Sequence, residues 1–292
     1  MKYIIVTGGA GFIGTNLIKS LSKNKKNRII SVDNYFTGSK KNHILAKNVR
    51  YIKGDTKNIS KILNSIKKKI AVVFHFAEFS RIAQSFDNKD DCFRSNIQGS
   101  YEVIKFCLSN KIKIIYSATS ASLGNQGSDK NLSPYAFTKS NNMNLIINLN
   151  EWFGLKYEII YFYNVFGPNQ IYNSSMAAVV GIFEAHYKKN RSLPVVKPGT
   201  QSRKFTHVQD TVDACIYAWK KNKNAHYSIS NKKSYSILQL AKLFSDKIKM
   251  ISERRGERFN SSIVKNVRDK KIFNLFGKRS LHQYVKEIKK NI

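Results

Sequence analysis

Hydrophobic residues fall along the first half of the chain in two alternating rhythms. Short, nearly continuous apolar runs occupy residues 3–6, 28–32, 49–52, 70–75, 111–117 and 158–163. Runs of that length, bounded by polar turns, predict strands buried on both faces. Between them, apolar positions recur every three or four residues. Residues 12–21 read as a helix. Residues 91–110 carry Phe93, Ile97, Ile104 and Leu108 on one stripe, and residues 134–153 carry Leu145, Ile146, Leu149, Trp152 and Phe153. Strand and helix in alternation predict an α/β fold on a parallel sheet, because a parallel neighbour is reached only through a crossover.

Beyond Gly167-Pro168 the rhythm loosens, and the division falls there: a first lobe over residues 1–167 and a smaller one over 168–292. A helix near 210–219 is expected to pack back on the first lobe. Residues 236–248 predict another helix. It is opened by a capping box of Ser236 and Gln239 and striped by Ile237, Leu240, Ala241, Phe244 and Ile248. There is no internal repeat.

Composition changes this picture little. Of 292 residues, 42% are hydrophobic, enough for a packed core in each lobe. No apolar run approaches the ~20 residues of a membrane span. The N-terminus opens straight into a strand and a glycine turn, so no secretory signal is expected. Cys92, Cys107 and Cys215 are widely spaced and form no CxxC pair. That suits a reducing, cytoplasmic setting. The net charge of +33 would favour any polyanion. The lysines, however, are scattered rather than massed, so compositional bias is the reading and no specific nucleic-acid partner is expected. Six scattered histidines give no metal spacing, and no metal site is expected.

Candidate chemistry begins at residues 7–14, Thr-Gly-Gly-Ala-Gly-Phe-Ile-Gly, between a strand and a helix. Gly8 can take the tight turn, Gly11 lets backbone approach a pyrophosphate, and Gly14 lets helix and strand pack closely. The helix N-terminus offers free N–H groups to phosphate. Asp33 lies at the end of the second strand, 19 residues after Gly14. Its carboxylate can accept from the adenosine ribose hydroxyls and repels a 2′-phosphate. The cofactor expected is therefore NAD, on a Rossmann doubly wound parallel sheet, with the second lobe left for substrate.

These residues resemble the extended short-chain dehydrogenase/reductase family, and within it the UDP-glucose 4-epimerase-like sugar-nucleotide enzymes, from Lys2 to about Lys286. Gly8-Gly9-Ala10-Gly11-Phe12-Ile13-Gly14 is similar to that family's glycine motif, and Asp33-Asn34 to the start of its ribose loop. The resemblance implies that Asp55 lies beside the adenine, that Ala77 ends the strand beside the cofactor, and that Asn96 also serves the cofactor. It matches Tyr135 and Lys139 to the family's YxxxK and Thr119 to its catalytic hydroxyl. It matches Asn164, Arg203 and Arg254 to groups that meet the substrate diphosphate. Seven positions after the second arginine, Ser261 would border the sugar's 2-substituent and leave room for an acetamido group. The family's pairing through residues 91–110 and 134–153 implies a homodimer.

The chemistry explains the pairing of types. Oxidising a carbinol carbon requires the hydroxyl proton to leave as well. A tyrosine can take it only if its pKa of about 10 falls by ~3 units, or roughly 4 kcal/mol. Lys139, one helical turn from Tyr135, can supply part of that. The leading expectation is a 4-epimerase of a UDP-hexose working through a transient 4-keto sugar. Family dehydratases carry Asp-Glu directly after the threonine and decarboxylases a Glu at the second position, where this chain has Ser120 and Ala121. A dehydratase or reductase of the same family, or a non-catalytic NAD- or RNA-binding protein, are the alternatives. Glu78 and Arg81 depart from the family pattern; Arg81 could be the partner of Glu78 or a substrate contact. His75 and His207 read as core or supporting residues.

Overall fold

The computed structural model describes residues 2–121, 130–257 and 276–291. Six of its strands fall where the apolar runs place them: β1 (Tyr3–Thr7), β2 (Arg28–Asp33), β3 (Val49–Lys53), β4 (Ile70–His75), β5 (Lys113–Thr119) and β6 (Tyr157–Phe162). They form one sheet in the order β6-β5-β4-β1-β2-β3, every neighbour parallel. Side chains alternate across it. Ile5 joins Val103, Ile104, Met143 and Ile146 on one face, while Ile4 and Val6 join Leu17, Ile18 and Val212 on the other. Helices thus cover both faces, which is the Rossmann arrangement.

A seventh strand, His226–Ser228, extends the sheet beyond β6. The apolar pattern does not predict it. It is only three residues long, and its position is set from elsewhere. Glu158 of β6 accepts hydrogen bonds from the backbone N–H groups of Lys223, Asn224 and Ala225 at 2.7, 3.2 and 3.0 Å and pairs with Lys113 at 2.6 Å. That carboxylate pins the chain just before it enters the sheet. The Val208–Lys221 helix precedes it and packs against the Phe12–Ser22 helix and β6. The division at 167/168 therefore follows chain order rather than space, because residues 208–228 return to the first lobe.

The second lobe has its own core of Phe183, Leu193, Leu240, Phe244, Leu281 and Val285. The capping box at Ser236 forms as expected, but its helix is Ile237–Phe244 and ends four residues early. Ile248 instead opens a strand, Ile248–Ile251, that pairs in parallel with Leu193–Val196. Strand pairing competes with helix propensity there and wins. The expected helix over 91–110 is observed as a continuous helical stretch from Lys89 to Ser109, with a wide π turn at Arg94–Gly99.

Candidate active site

The sheet order reverses between β1 and β4, and a cleft opens at the carboxyl ends of those strands, where ligands settle in open α/β sheets. Gly8, leaving β1, has φ +71°, and a Cβ there would stand 2.8 Å from Ala77 N. A Cβ on Gly14 would stand 2.2 Å from the Gly8 carbonyl oxygen. The turn thus depends on bare backbone at both places. No side chain caps the Phe12–Ser22 helix, whose first turn holds Phe12, Ile13 and Gly14 at the cleft wall with Gly11 before it. That end suits a pyrophosphate.

Asp33, nearly buried at the end of β2, accepts from Ala10 N at 2.9 Å and Tyr35 N at 2.8 Å. Burial raises its pKa, against the pull of those two N–H groups. Each carboxylate oxygen keeps a lone pair for a ribose hydroxyl. Asn34, Asp55 and Ala77 line the same wall. Asn34 and Asp55 are held by bonds from Phe36 N and Lys57 N, each at 3.0 Å. The donor set, the glycine cradle and the uncapped helix fit NAD.

Asn96 lies elsewhere. It is fully buried, off the cleft wall, and its amide is bonded to Phe79 N at 2.6 Å and Thr138 Oγ1 at 3.0 Å. It joins the loop after β4 to the Pro134–Phe153 helix rather than facing a cofactor.

Thr119, Tyr135 and Lys139 line the middle of this cavity of about 600 Å³. Thr119 ends β5. Tyr135 opens the Pro134–Phe153 helix, which starts where Ser133 Oγ caps Ala136 N at 3.1 Å and Pro134 fills the first turn. Ser85 Oγ accepts from Tyr135 N at 3.2 Å and anchors the helix start. Lys139 follows one turn later. Its ammonium donates to the Ser117 carbonyl oxygen, pairs with Glu78, and sits 4.6 Å from the Tyr116 ring centre.

Glu78 is the residue whose role the sequence alone left open. Its partner is Lys139, not Arg81. Its carboxylate also accepts from Ser100 Oγ at 2.9 Å, Tyr116 Oη at 3.0 Å and Asn142 Nδ2 at 3.0 Å. Burial pushes this carboxyl up, but the Lys139 ammonium and the His75 ring bring it below its ordinary value. Burial lowers the Lys139 pKa, with Glu78 opposing. The lysine thus reaches the centre already paired with a counter-charge. His75 is a supporting residue: Nδ1 meets Thr7 Oγ1 at 2.7 Å and Nε2 meets Ser100 Oγ at 2.9 Å.

At the far end the cleft is closed by the second lobe. Asn164, Arg203 and Arg254 all reach it. Asn164 donates to the Lys204 carbonyl oxygen at 2.8 Å, and Arg203, almost buried, pairs with Glu257 at 2.7 Å. His207 does not enter the chemistry; its Nδ1 accepts from Gln209 N at 3.1 Å and caps the Val208–Lys221 helix. Ser261 lies outside the described residues. Among the described residues no three His, Cys, Asp or Glu side chains cluster as a metal site, and no helix is long and apolar enough to cross a membrane.

A Rossmann sheet with a dinucleotide cradle at one end, a Tyr/Lys pair in the middle and arginines at the other end defines a nicotinamide-dependent enzyme of the short-chain dehydrogenase type. The profile of the NAD dependent epimerase/dehydratase family matches residues 4–231, and the chain belongs to that family, with NAD as its cofactor. It is 29% identical to a putative UDP-glucose 4-epimerase of Methanocaldococcus jannaschii, over 84% of this chain and 82% of that one. It is 27% identical to UDP-glucuronic acid decarboxylase 3 of Arabidopsis thaliana, over 84% and 74%. Among solved structures, UDP-N-acetylglucosamine 4-epimerase of Methanobrevibacter ruminantium, in complex with UDP-N-acetylmuramic acid, superposes with a TM-score of 0.83 at 28% identity. The match covers 100% of this chain and 99% of that one.

Proposed function

We propose that the protein is an epimerase that inverts C4 of a UDP-hexose, of the UDP-glucose/UDP-galactose or N-acetylhexosamine kind, through a transient 4-keto sugar. The observation that carries this is the composition of the cleft around Thr119. Tyr135 and Lys139 are present, while Ser120 and Ala121 on the same wall supply no carboxylate for elimination or decarboxylation. Glu78 does not substitute for one, because its carboxylate is already engaged by Lys139, Ser100, Tyr116 and Asn142. The relatives named above support a UDP-sugar as substrate.

Bound NAD would supply the hydride acceptor and donor for C4. Gly8, Gly11, Phe12, Ile13, Gly14, Asp33, Asn34, Asp55 and Ala77 would hold it. Tyr135 takes the 4-hydroxyl proton and gives it back, and the Lys139 charge favours the phenolate. Thr119 hydrogen-bonds the same hydroxyl. Asn164, Arg203 and Arg254 hold the diphosphate, for which the planar arginine fork is suited. Three buried, unbridged cysteines support a cytoplasmic site of action.

The test is incubation of the NAD-loaded protein with a small panel of UDP-sugars, with products resolved by NMR. Tyr135→Phe should retain cofactor and fold and lose turnover by at least about 100-fold, the scale of a positioned acid–base group. Near-normal epimerisation by that variant would remove Tyr135 from the mechanism.

A further inference from the structure

The cleft occupies the carboxyl edge of the sheet. All seven strands run parallel, so their amino ends lie together at the opposite edge. Lysines that are scattered along the sequence are gathered there. Lys2 precedes β1, Lys25 and Lys26 precede β2, and Lys47 precedes β3. Lys68 and Lys69 lead into β4, Lys111 into β5, Lys156 into β6 and Lys223 into His226–Ser228. All are exposed, and none forms an ion pair among the described residues. The loops that carry them hold no Asp or Glu. Glu158, near this edge, is buried and paired with Lys113, and Glu151 is the only acid in the last turns of the helices that lead to it. One cation per helix would answer the negative ends of those helices. Lys2, however, follows no helix, and residues 23–27 and 63–69 hold three lysines each.

Across a seven-stranded sheet, strand spacings of about 4.8 Å make this row about 29 Å long. Neighbouring loops are closer than the ~8 Å screening length, so their charges act together. The cations are lysines apart from Arg28, which lies 6.0 Å over the Tyr3 ring. Lysines are flexible point charges, suited to a diffuse anionic field rather than to a fixed pattern of phosphates. Where the Pro134–Phe153 helix runs down towards β6, Trp152 and Phe153 are 63% and 66% exposed and pack edge to face at 6.3 Å. Phe153 lies about 160° round the helix from Phe137, off the face that ring presents. Exposed Trp and Phe beside lysines are the residues of a lipid–water interface. A nucleic-acid strand is gripped where rings alternate with cations along a groove, whereas here the rings stand together at one place. We propose that the amino edge of the sheet docks on an anionic lipid membrane, the lysines facing the headgroups. The cleft, at the opposite edge, stays open to dissolved substrate.

Co-sedimentation of the full chain with vesicles tests this. The wild type should bind phosphatidylcholine vesicles that contain about 30% phosphatidylserine, and not pure phosphatidylcholine, at roughly physiological salt. Replacing Lys25, Lys26, Lys68 and Lys69 together by Gln should weaken that binding at least about 100-fold, since each cation at an anionic surface is worth about fivefold. Removing the same charge from the second lobe, at the exposed Lys189, Lys242, Lys249 and Lys286, should weaken it by no more than about threefold. The two variants carry equal net charge, so equal losses would show that overall charge binds the vesicles and would overturn the proposal. So would a wild type that does not bind the phosphatidylserine vesicles. A single-stranded RNA that displaces the protein from the vesicles and depends on the same four lysines would also overturn it, in favour of nucleic acid. Both variants change exposed lysines alone and should keep the wild-type urea midpoint; the wild-type comparison of the two vesicle types decides even if they do not.

Discussion

Lys139 shows how one residue can be legible in part. Its spacing from Tyr135 identifies the pair, because both lie on one face of one helix. Its counter-charge, Glu78, is 61 positions away and reaches it from the loop after β4. Both side chains are almost wholly buried, at 5% and 2% exposed, so the pair is a buried one and each member depends on the other. Glu78→Gln preserves shape and strands the ammonium. It should destabilise the protein by about 3 kcal/mol, as breaking a buried pair by removing one member does. The double change Glu78→Gln, Lys139→Met removes both charges and should cost less than the sum of the single changes. Urea unfolding of the four proteins measures the coupling. Additive effects would mean that the two charges do not interact.

At the scale of elements, the helices are the parts best read from sequence. The stripe over residues 134–153 matches the observed Pro134–Phe153 helix, because its start is written locally in Ser133 and Pro134 and its end in Gly154, which takes the left-handed conformation at φ +70°. Its apolar residues do not all face inward, however. Phe137, Trp152 and Phe153 are exposed, as are Phe93 and Tyr101 on the Lys89–Ser109 stretch, and the Phe93 and Phe137 rings lie 6.4 Å apart. Large exposed aromatics on two adjacent helices call for a partner. We propose that these helices pair across a two-fold axis in a homodimer. Sedimentation at micromolar concentration and physiological salt should give twice the chain mass, and Phe137→Glu should shift it to the monomer. A wild-type protein that sediments as a monomer would remove the proposal.

For the molecule as a whole, the buried polar chain beneath the active site sets an acid limit. His75 is fully buried, and burial pushes its pKa down to about 4. The unfolded chain takes up that proton near pH 6.5, the folded one only near 4. Between those values the unfolded state binds more protons, so stability falls as pH falls. The loss should reach about 3 kcal/mol by pH 4. Glu78, held below its ordinary pKa chiefly by Lys139 against burial, adds a loss in the same direction at still lower pH, below the unfolded carboxylate range. Urea midpoints from pH 7 to pH 4.5 should drop more steeply for the wild type than for His75→Gln, which has no ring to protonate. Parallel curves would show that His75 does not carry the acid sensitivity.

What the sequence determined by itself is what is encoded within a few turns of chain. The strand–glycine–helix cradle, Asp33, the Tyr135/Lys139 pair and the helix caps are all local, and local geometry follows from residue type and spacing. The tertiary structure alone decided what depends on register between distant segments. It brought His226–Ser228 into the sheet through Glu158, turned Ile248 from the end of a helix into a strand, took Asn96 away from the cofactor wall, and gave Glu78 to Lys139. A buried charge takes whichever partner the packing of separate elements brings within reach, and spacing along the chain does not specify it.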